Sequence, residues 1–207
     1  MPRTAANTTN PAPASDPALR PGTMAGTGFF VNDTTLVTAG AVLDRCARLA
    51  LRDGSALDMI AGDGAAGLAV LTLGRGTGTW LPVDPKARPG AGQPVIVVGY
   101  PDGDAPFSTR IDGHVTGAAA AGRTALSVPS NAGLSGAPVL DERGLVAGVI
   151  VPGPGKAAII ATGQDLARIL SARNLRFDSR SRWPTSEVEA NVRWSDTADA
   201  VVALFCL

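Results

Sequence analysis

Ser135 is the residue best suited to carry chemistry in this chain of 207 residues. It lies in the sequence Gly133-Leu134-Ser135-Gly136, whose small neighbours allow a tight turn that would direct the hydroxyl into a cleft. The same turn would bring the backbone amides of Gly133 and Ser135 to one point and form an oxyanion hole. That arrangement would serve nucleophilic acyl transfer. An ordinary β-turn is the alternative, because the motif alone is common.

A serine hydroxyl needs a base that accepts its proton during attack, and the chain contains few candidates. His114 is the only histidine, and the lysines are Lys86 and Lys156. We expect His114 to be a structural or exposed residue of a strand, and a Ser–Lys pair with Lys156 is a minor alternative. Asp44 and Asp63 would be poor bases, because an ordinary aspartate has a pKa of about 4.

Composition and charge argue against several classes of partner. The chain has 18 acidic and 18 basic residues and no basic run, so we expect no nucleic-acid binding. No apolar window of about 18 residues is present, so we expect no membrane span. The spacing of Cys46 and Cys206 fits no metal site, and we expect neither a metal nor another cofactor. The two cysteines are either unrelated buried thiols or a disulfide that ties the C-terminus to the first half of the chain.

Short apolar segments separated by Gly, Asp-Gly or Pro predict an all-β protein. Eleven segments have this pattern, at residues 26–31, 35–40, 48–52, 57–62, 68–73, 94–100, 114–119, 124–129, 136–141, 145–151 and 157–161. Such a series is typical of sandwiches and closed barrels. A helix is predicted at residues 163–173, because Thr162 can cap it and Asp165 follows three residues later.

Composition also divides the chain. Residues 1–22 contain five prolines and no apolar block, which predicts a disordered segment. They lack the apolar core of a signal peptide, so the protein is either cytosolic or numbered from after a removed signal. The segment near residue 87 resembles a linker, with six strands expected on each side. The extension at 174–207 is polar until its apolar end, 201–207, which we interpret as a final strand.

From residue 24 to about residue 173, the order of these segments resembles the chymotrypsin-like serine peptidases. The similarity is greatest to the secreted bacterial trypsin-like branch that includes the HtrA-type proteases. It implies two six-stranded antiparallel β-barrels with a cleft between them, barrel 1 at about 24–86 and barrel 2 at about 92–161, within one domain spanning 23–207. Some bacterial members have a cysteine after the first catalytic segment, as Cys46 is here, and this favours the Cys46–Cys206 disulfide.

The catalytic pattern of the family is incomplete in this sequence. Where the family has V-T-N-A-H-V-V, residues 37–43 place Ala41 at the position of the histidine. Where it has N-D-L-A-L-L, residues 66–71 place Gly67 at the position of the aspartate. Where it has G-N-S-G-G-P, residues 133–138 retain the serine as Ser135. The resemblance therefore predicts a fold that has kept its nucleophile and lost both of the groups that activate it.

These departures indicate a catalytically inactive homologue that binds or scaffolds an unidentified protein or peptide. The alternative is a serine hydrolase, either a peptidase or an esterase, that uses Ser135 with an unconventional base. We expect the cleft to be lined by Leu134, Val151, Pro152 and Gly153. Prolines in 152–155 would weaken pairing with an added peptide strand, because they lack amide donors. The resemblance and a disulfide would together imply a periplasmic or secreted protein.

Overall fold

The structure, a computed structural model, consists of two closed six-stranded antiparallel barrels. It describes residues 19–103, 105–119, 123–153, 157–180 and 194–207. This architecture is the chymotrypsin-like double barrel that the sequence predicts. Closing each barrel pairs every strand on both edges, so neither sheet exposes an unpaired strand edge.

Barrel 1 contains the first five strands of the chain and the last one. Its strands are β1 (Met24–Phe30), β2 (Thr35–Ala39), β3 (Leu49–Ala50), β4 (Ala56–Asp63), β5 (Leu68–Leu73) and β12 (Val201–Cys206). They are arranged around the barrel in the order β1-β12-β3-β4-β5-β2. A single helical turn, α1 (Gly40–Asp44), follows β2 directly and lies at the end of the barrel that faces the cleft.

Barrel 2 is continuous in sequence. Its strands are β6 (Pro94–Gly99), β7 (Thr109–Ala118), β8 (Thr124–Pro129), β9 (Pro138–Leu140), β10 (Val146–Val151) and β11 (Ala157–Thr162). Helix α2 (Gly163–Ala172) follows β11 at once, and the side chain of Thr162 accepts a hydrogen bond from the amide of Asp165 while Asp165 bonds back to Thr162. This capping box confirms the helix start expected from the sequence.

The expectation of six strands on each side of the linker is wrong for barrel 1. The segment from 24 to 86 supplies five of its strands, and the sixth, β12, comes from the C-terminal extension. Strand β12 pairs with β1 along its length and with the two-residue β3 at its end. It is needed there because β1 and β3 would otherwise leave two unpaired edges in the barrel wall.

The prediction of a disordered segment at 1–22 is also wrong for its last four residues; residues 1–18 lie outside the described part of the chain. The amide of Leu19 donates to the carbonyl of Arg45, and the amide of Gly22 donates to the carbonyl of Cys206. Leu19 is half-buried against the core of barrel 1. These contacts fix the entry to β1 beside the end of β12.

Cys46 and Cys206 form a disulfide across 160 residues of sequence. Both residues are buried, Cys46 just after α1 and Cys206 at the end of β12. The disulfide alternative is therefore confirmed and the alternative of two unrelated thiols is wrong. The bond joins the C-terminal strand to the loop that borders the cleft.

We predict that replacing both cysteines, by Cys46→Ser with Cys206→Ser, lowers the free energy of unfolding by about 2–5 kcal/mol, because the cross-link restricts the unfolded chain. Denaturant unfolding measured by circular dichroism checks this. A reducing agent should lower the stability of the wild-type protein to the level of the double variant and leave the variant unchanged. Equal stability of the oxidised wild type and the variant would contradict the prediction.

Candidate functional site

In the turn that carries Ser135, the next residue, Gly136, has no space for a side chain. A short 3₁₀ turn, Ala132–Leu134, leads into Ser135, and Gly136 then adopts a φ of +87° before β9 begins. A Cβ atom on Gly136 would collide with the carbonyl oxygen of Thr27 and the hydroxyl of Thr38. Only glycine can adopt the positive φ and also fit without a Cβ atom. The main chain of barrel 2 therefore contacts the strands of barrel 1 directly at Gly136.

Thr27 of β1 holds this turn in place from the other barrel. Its amide donates to the carbonyl of Ser135 at 2.9 Å, and its hydroxyl donates to the carbonyl of Gly133 at 2.7 Å. The same hydroxyl accepts a bond from the amide of Tyr100, and the carbonyl of Thr27 accepts one from the Thr38 hydroxyl. Because Thr27 is fully buried, these bonds form away from water and fix the turn at the interface between the barrels.

The hydroxyl of Ser135 has no hydrogen-bond partner among the described residues. The residue is only 8% exposed, and its Oγ atom is covered by neighbouring atoms. The turn thus places the side chain at the interface between the barrels, but the oxygen is neither open to solvent nor paired with a proton acceptor.

The predicted oxyanion hole is not formed in this structure, because both amides already donate within the turn. The amide of Gly133 donates to the side-chain oxygen of Asn131 at 2.7 Å. The amide of Ser135 donates to the carbonyl of Ala132 at 3.2 Å. Asn131 is the local signal for this outcome, since asparagine commonly caps the first turn of a helix in this way.

Ala41, which the resemblance places at the family's histidine position, lies in the first turn of α1 and is half-buried at the edge of the cleft. The turn is short and has no side-chain cap, which explains why the sequence pattern did not reveal a helix there. The methyl group of Ala41 can neither accept nor donate a proton.

Gly67, which the resemblance places at the family's aspartate position, has a φ of +70°, a conformation that residues with a side chain rarely adopt. Its carbonyl accepts a bond from the amide of Gly40, which joins this turn to the start of α1. Arg123 of barrel 2 donates to the carbonyls of Ala66 at 2.8 Å and Ala65 at 2.5 Å. Its guanidinium lies 3.8 Å from the point where a side chain of residue 67 would begin.

Asp63 shapes this turn from its other end. Its carboxylate accepts the amide of Ala66 at 2.9 Å and forms an ion pair with Arg168 of α2, also at 2.9 Å. The Ala66 hydrogen bond, reinforced by Arg168, lowers the pKa of Asp63 below its ordinary value of 3.8. The aspartate nearest in sequence to the vacated position therefore remains ionised and serves structure.

Two adjoining cavities occupy the cleft. One, of about 470 Å³, borders Ser135, and its wall includes residues of α1 and of the 130–132 segment. The other, of about 490 Å³, lies over Ala41 and Gly67. They share four lining residues: Ala41, Asp44, Val151 and Pro152. The cleft is therefore open on both sides of Ala41.

Of the residues expected to line the cleft, Val151 and Pro152 border both cavities, but Leu134 and Gly153 border neither. Leu134 is buried in the core of barrel 2, close to Gly99 and Ala137. The prediction was wrong for Leu134 because the 3₁₀ turn directs its side chain inward, where an apolar group gains from burial. Gly153 faces Ile159 of the neighbouring strand.

Of the candidate bases that the structure describes, only Asp44 borders the cavity beside Ser135. His114 is exposed on β7, and Lys86 lies on the linker between the barrels beside a different cavity. Lys156 lies outside the described residues. Asp44 borders both cleft cavities but is exposed to solvent.

Within the described residues, no group of three or more His, Cys, Asp and Glu side chains is arranged to hold a metal ion. In the same residues, no helix is both long enough and apolar enough to cross a bilayer.

The model of the trypsin-like peptidase domain family matches residues 26–149, more than half of the sequence. The chain belongs to the trypsin-like peptidase family. The match begins within β1 and ends within β10, so it includes the turns at Ala41, Gly67 and Ser135. No curated protein sequence is found to match this trypsin-like chain significantly.

Solved structures agree with the fold of this trypsin-like protein. The serine endoprotease from Yersinia pestis has a TM-score of 0.61 and 18% identity, over 72% of this chain and 57% of that one. The HtrA-type protease AlgW, solved with a decapeptide, has a TM-score of 0.59 and 20% identity, over 71% and 51%. An inactive form of Rv3671c from M. tuberculosis H37Rv has a TM-score of 0.57 and 20% identity, over 73% and 81%. The chain thus spans little more than half the length of the first and second of these proteins.

Sequence reasoning missed three residues that shape the site of this family member. Thr27 had a usable signal, because a threonine between two glycines in an apolar strand suggests a buried hydrogen bond at a close approach. Asn131 had the signal of a cap residue. Arg123 had none, since its contacts with Ala65 and Ala66 depend on the packing of one barrel against the other.

We predict that Gly136→Ala destabilises the protein by more than about 3 kcal/mol or prevents folding, because strain at positive φ adds to a collision with barrel 1. Gly54→Ala is a matched control. Gly54 has a φ of +83° with no atom near the site of a Cβ, so we expect a cost of only about 1 kcal/mol. Thermal and denaturant unfolding of both variants check this. If both substitutions lower the free energy of unfolding equally, the main chains of the two barrels are not in close contact at Gly136.

We predict that Asp63→Asn lowers the free energy of unfolding by about 1 kcal/mol at neutral pH, because a charged hydrogen bond and an ion pair are lost. The folded-state pKa of Asp63 is depressed, so its contribution is present above 3.8 and is lost as the pH falls through the lower folded value. Unfolding curves of the two proteins should therefore converge in acid.

Asp58→Asn is the control for this experiment. Asp58 lies on the same strand, is exposed, and forms no hydrogen bond or ion pair with a described residue. It should change stability little at any pH. A constant difference between wild type and Asp63→Asn across the acid range would contradict the assignment.

Proposed function

We propose that this protein is a catalytically inactive member of the trypsin-like peptidase family that binds a protein or peptide partner in the cleft between its barrels. The observation that carries the proposal is the unpartnered hydroxyl of Ser135, together with a methyl group at Ala41, the family's histidine position.

Nucleophilic attack by serine depends on a base that takes up the proton in the same step. In well-studied triads, losing one member costs roughly 10⁴–10⁶-fold in turnover, and the residual rate over water comes from the oxyanion hole and binding. The amides of Gly133 and Ser135 are engaged within the turn, so this protein would lack that residual contribution as well.

A change of conformation could free the amides but could not supply a base. The engaged amides therefore support the proposal only weakly. Ala41 supports it strongly, because no rearrangement of the main chain converts a methyl group into an imidazole.

The surroundings of Gly67 also disfavour a hidden triad. An aspartate at this position would have to adopt positive φ, at a cost of about 1–2 kcal/mol. Its carboxylate would lie beside the guanidinium of Arg123 and would pair with it rather than with a histidine. The turn is therefore organised around backbone carbonyls and a guanidinium rather than around an acid that orients a histidine.

The cleft retains features that suit binding. Its two cavities provide concave, partly apolar volume that opens to solvent beside a rigid turn, which is typical of a ligand site. Pro152 lies at the shared edge and has no amide to donate, so a peptide could not form a regular ladder past this residue. We infer that side-chain contacts in the cavities, more than main-chain pairing, would hold a partner.

Export to an oxidising compartment, periplasmic or extracellular, is part of the proposal. It is supported by the buried Cys46–Cys206 disulfide, since such bonds persist mainly outside the reducing cytosol. The disulfide closes barrel 1 against the loop beside the cleft, so we expect a reducing environment to weaken the site.

We predict that a fluorophosphonate probe, which reacts with activated serine hydroxyls, does not label the protein above the level of Ser135→Ala. Mass spectrometry of the intact protein measures the adduct, and an active trypsin-like protease at equal concentration is the positive control. The expected result follows because no base activates the Ser135 oxygen and the oxygen is covered.

Labelling that disappears in Ser135→Ala would overturn the proposal in favour of the alternative, a serine hydrolase with an unconventional base. Lys156→Met and His114→Ala would then identify that base. Neither substitution alters a buried contact among the described residues, so a loss of labelling in one of them would be specific.

A further inference from the structure

Arg45 borders the cavity beside Ser135, and no described residue pairs with its charge. Its side chain forms no hydrogen bond or ion pair with any described residue, and its Nε atom is buried. A buried polar atom without a partner costs about 1–3 kcal/mol, so native proteins rarely keep one without a reason. Sequence inspection gave no role to this residue.

The backbone of Arg45 is held rigidly from both sides. It ends α1, and the next residue, Cys46, is joined to β12 by the disulfide. Its carbonyl also accepts the amide of Leu19 at 2.8 Å. The backbone from which the side chain extends is therefore fixed by the fold before any ligand arrives, so only the side chain has to be ordered on binding.

We propose that the cavity beside Ser135 binds a carboxylate group of a peptide through the guanidinium of Arg45. This inference rests on the proposed binding function of the cleft and specifies the chemistry of its partner. A guanidinium presents paired N–H donors that match the two oxygens of a carboxylate, and this charged pair is among the strongest hydrogen-bonded contacts in proteins.

The rest of the cavity suits a small acidic group attached to a peptide. Ala25, Val42, Ile150 and Val151 provide a buried apolar wall, which would exclude water from an ion pair. Ser130 and Asn131 border the open side. Low polarity around the pair strengthens the attraction between guanidinium and carboxylate, provided that the hydrogen bonds are complete.

Asp44 is the other charged residue that borders this cavity. It is exposed, and it forms no ion pair with Arg45. Water screens an exposed carboxylate, so Asp44 neutralises Arg45 only weakly. Its charge would disfavour a ligand with several acidic groups, which points to a single carboxylate.

The carboxylate could come from an acidic side chain or from a peptide C-terminus, and three probe peptides separate these sources. The first is acetyl-Ala-Ala-Glu-Ala-Ala-amide, with one side-chain carboxylate. The second replaces Glu by Gln and is neutral. The third keeps Gln and ends in a free carboxylate. Dissociation constants are measured by nuclear magnetic resonance titration of the full-length, disulfide-bonded protein.

We expect either the Glu peptide or the peptide with a free C-terminus to bind at least about tenfold more tightly than the neutral peptide. A charged hydrogen bond to the guanidinium of Arg45 predicts a difference of this size. Arg45→Gln should abolish that preference and leave the weak binding of the neutral peptide unchanged. Arg48→Gln is the matched control, because it removes the same charge from an exposed position three residues later. Thermal unfolding verifies that both variants are folded.

Similar dissociation constants for all three peptides, a preference that survives in Arg45→Gln, or no binding by any of them would each overturn the carboxylate inference. Failure of the proposed function has a different signature. It would appear as cleavage of a peptide, detected as shorter products by mass spectrometry and lost in Ser135→Ala. Cleavage limited to an acidic peptide and dependent on Arg45 would keep the carboxylate site and assign it to an enzyme.

Discussion

The close approach of Gly136 to Thr27 and Thr38 is the contact on which the rest of the structure depends. It brings the backbone of barrel 2 against two strands of barrel 1 with no space for a side chain. The hydroxyl and amide of Thr27 then hold the carbonyls of Gly133 and Ser135 from the opposite barrel. The width of the cleft and the direction of the Ser135 side chain both follow from this contact. The barrels could not move apart here without exposing or breaking several buried hydrogen bonds at once.

This constraint explains how the fold can tolerate Ala41 and Gly67 at the positions that the resemblance gives to the family's histidine and aspartate. The bonds that shape the serine turn use main-chain atoms and two threonine hydroxyls. None of them requires an imidazole at residue 41 or a carboxylate at residue 67. The turn at Gly67 is held by other means, through Asp63 from within barrel 1 and Arg123 from barrel 2. Scaffold and chemistry are therefore separable in this architecture, and membership of the family does not by itself establish the activity.

Local pattern was enough to predict the double barrel, because most of its strands are short apolar segments with turn residues at both ends. Strand β5 and the capping box of α2 lie where the sequence places them. The assignment of β12 to barrel 1 could not be read locally, since the partner of a strand depends on which edge is open. At the site, the positions of Ser135, Ala41 and Gly67 could be located by resemblance. The engaged amides had a local signal in the cap residue Asn131, whereas the unpaired Arg45 had none, because its surroundings depend on how the barrels pack around the end of α1.

The hydroxyl of Ser135 remains to be explained by any account of the cleft. The fold requires a small residue there, but alanine would satisfy the packing and would avoid burying a polar atom without a partner. Serine therefore carries a free-energy cost in the unliganded protein, and so does the buried Nε of Arg45. Both costs occur at the wall of the same cavity. A single ligand that completes the hydrogen bonds of both groups explains the Ser135 hydroxyl and the Arg45 Nε together. Retention of each group from an ancestral enzyme would need two separate explanations.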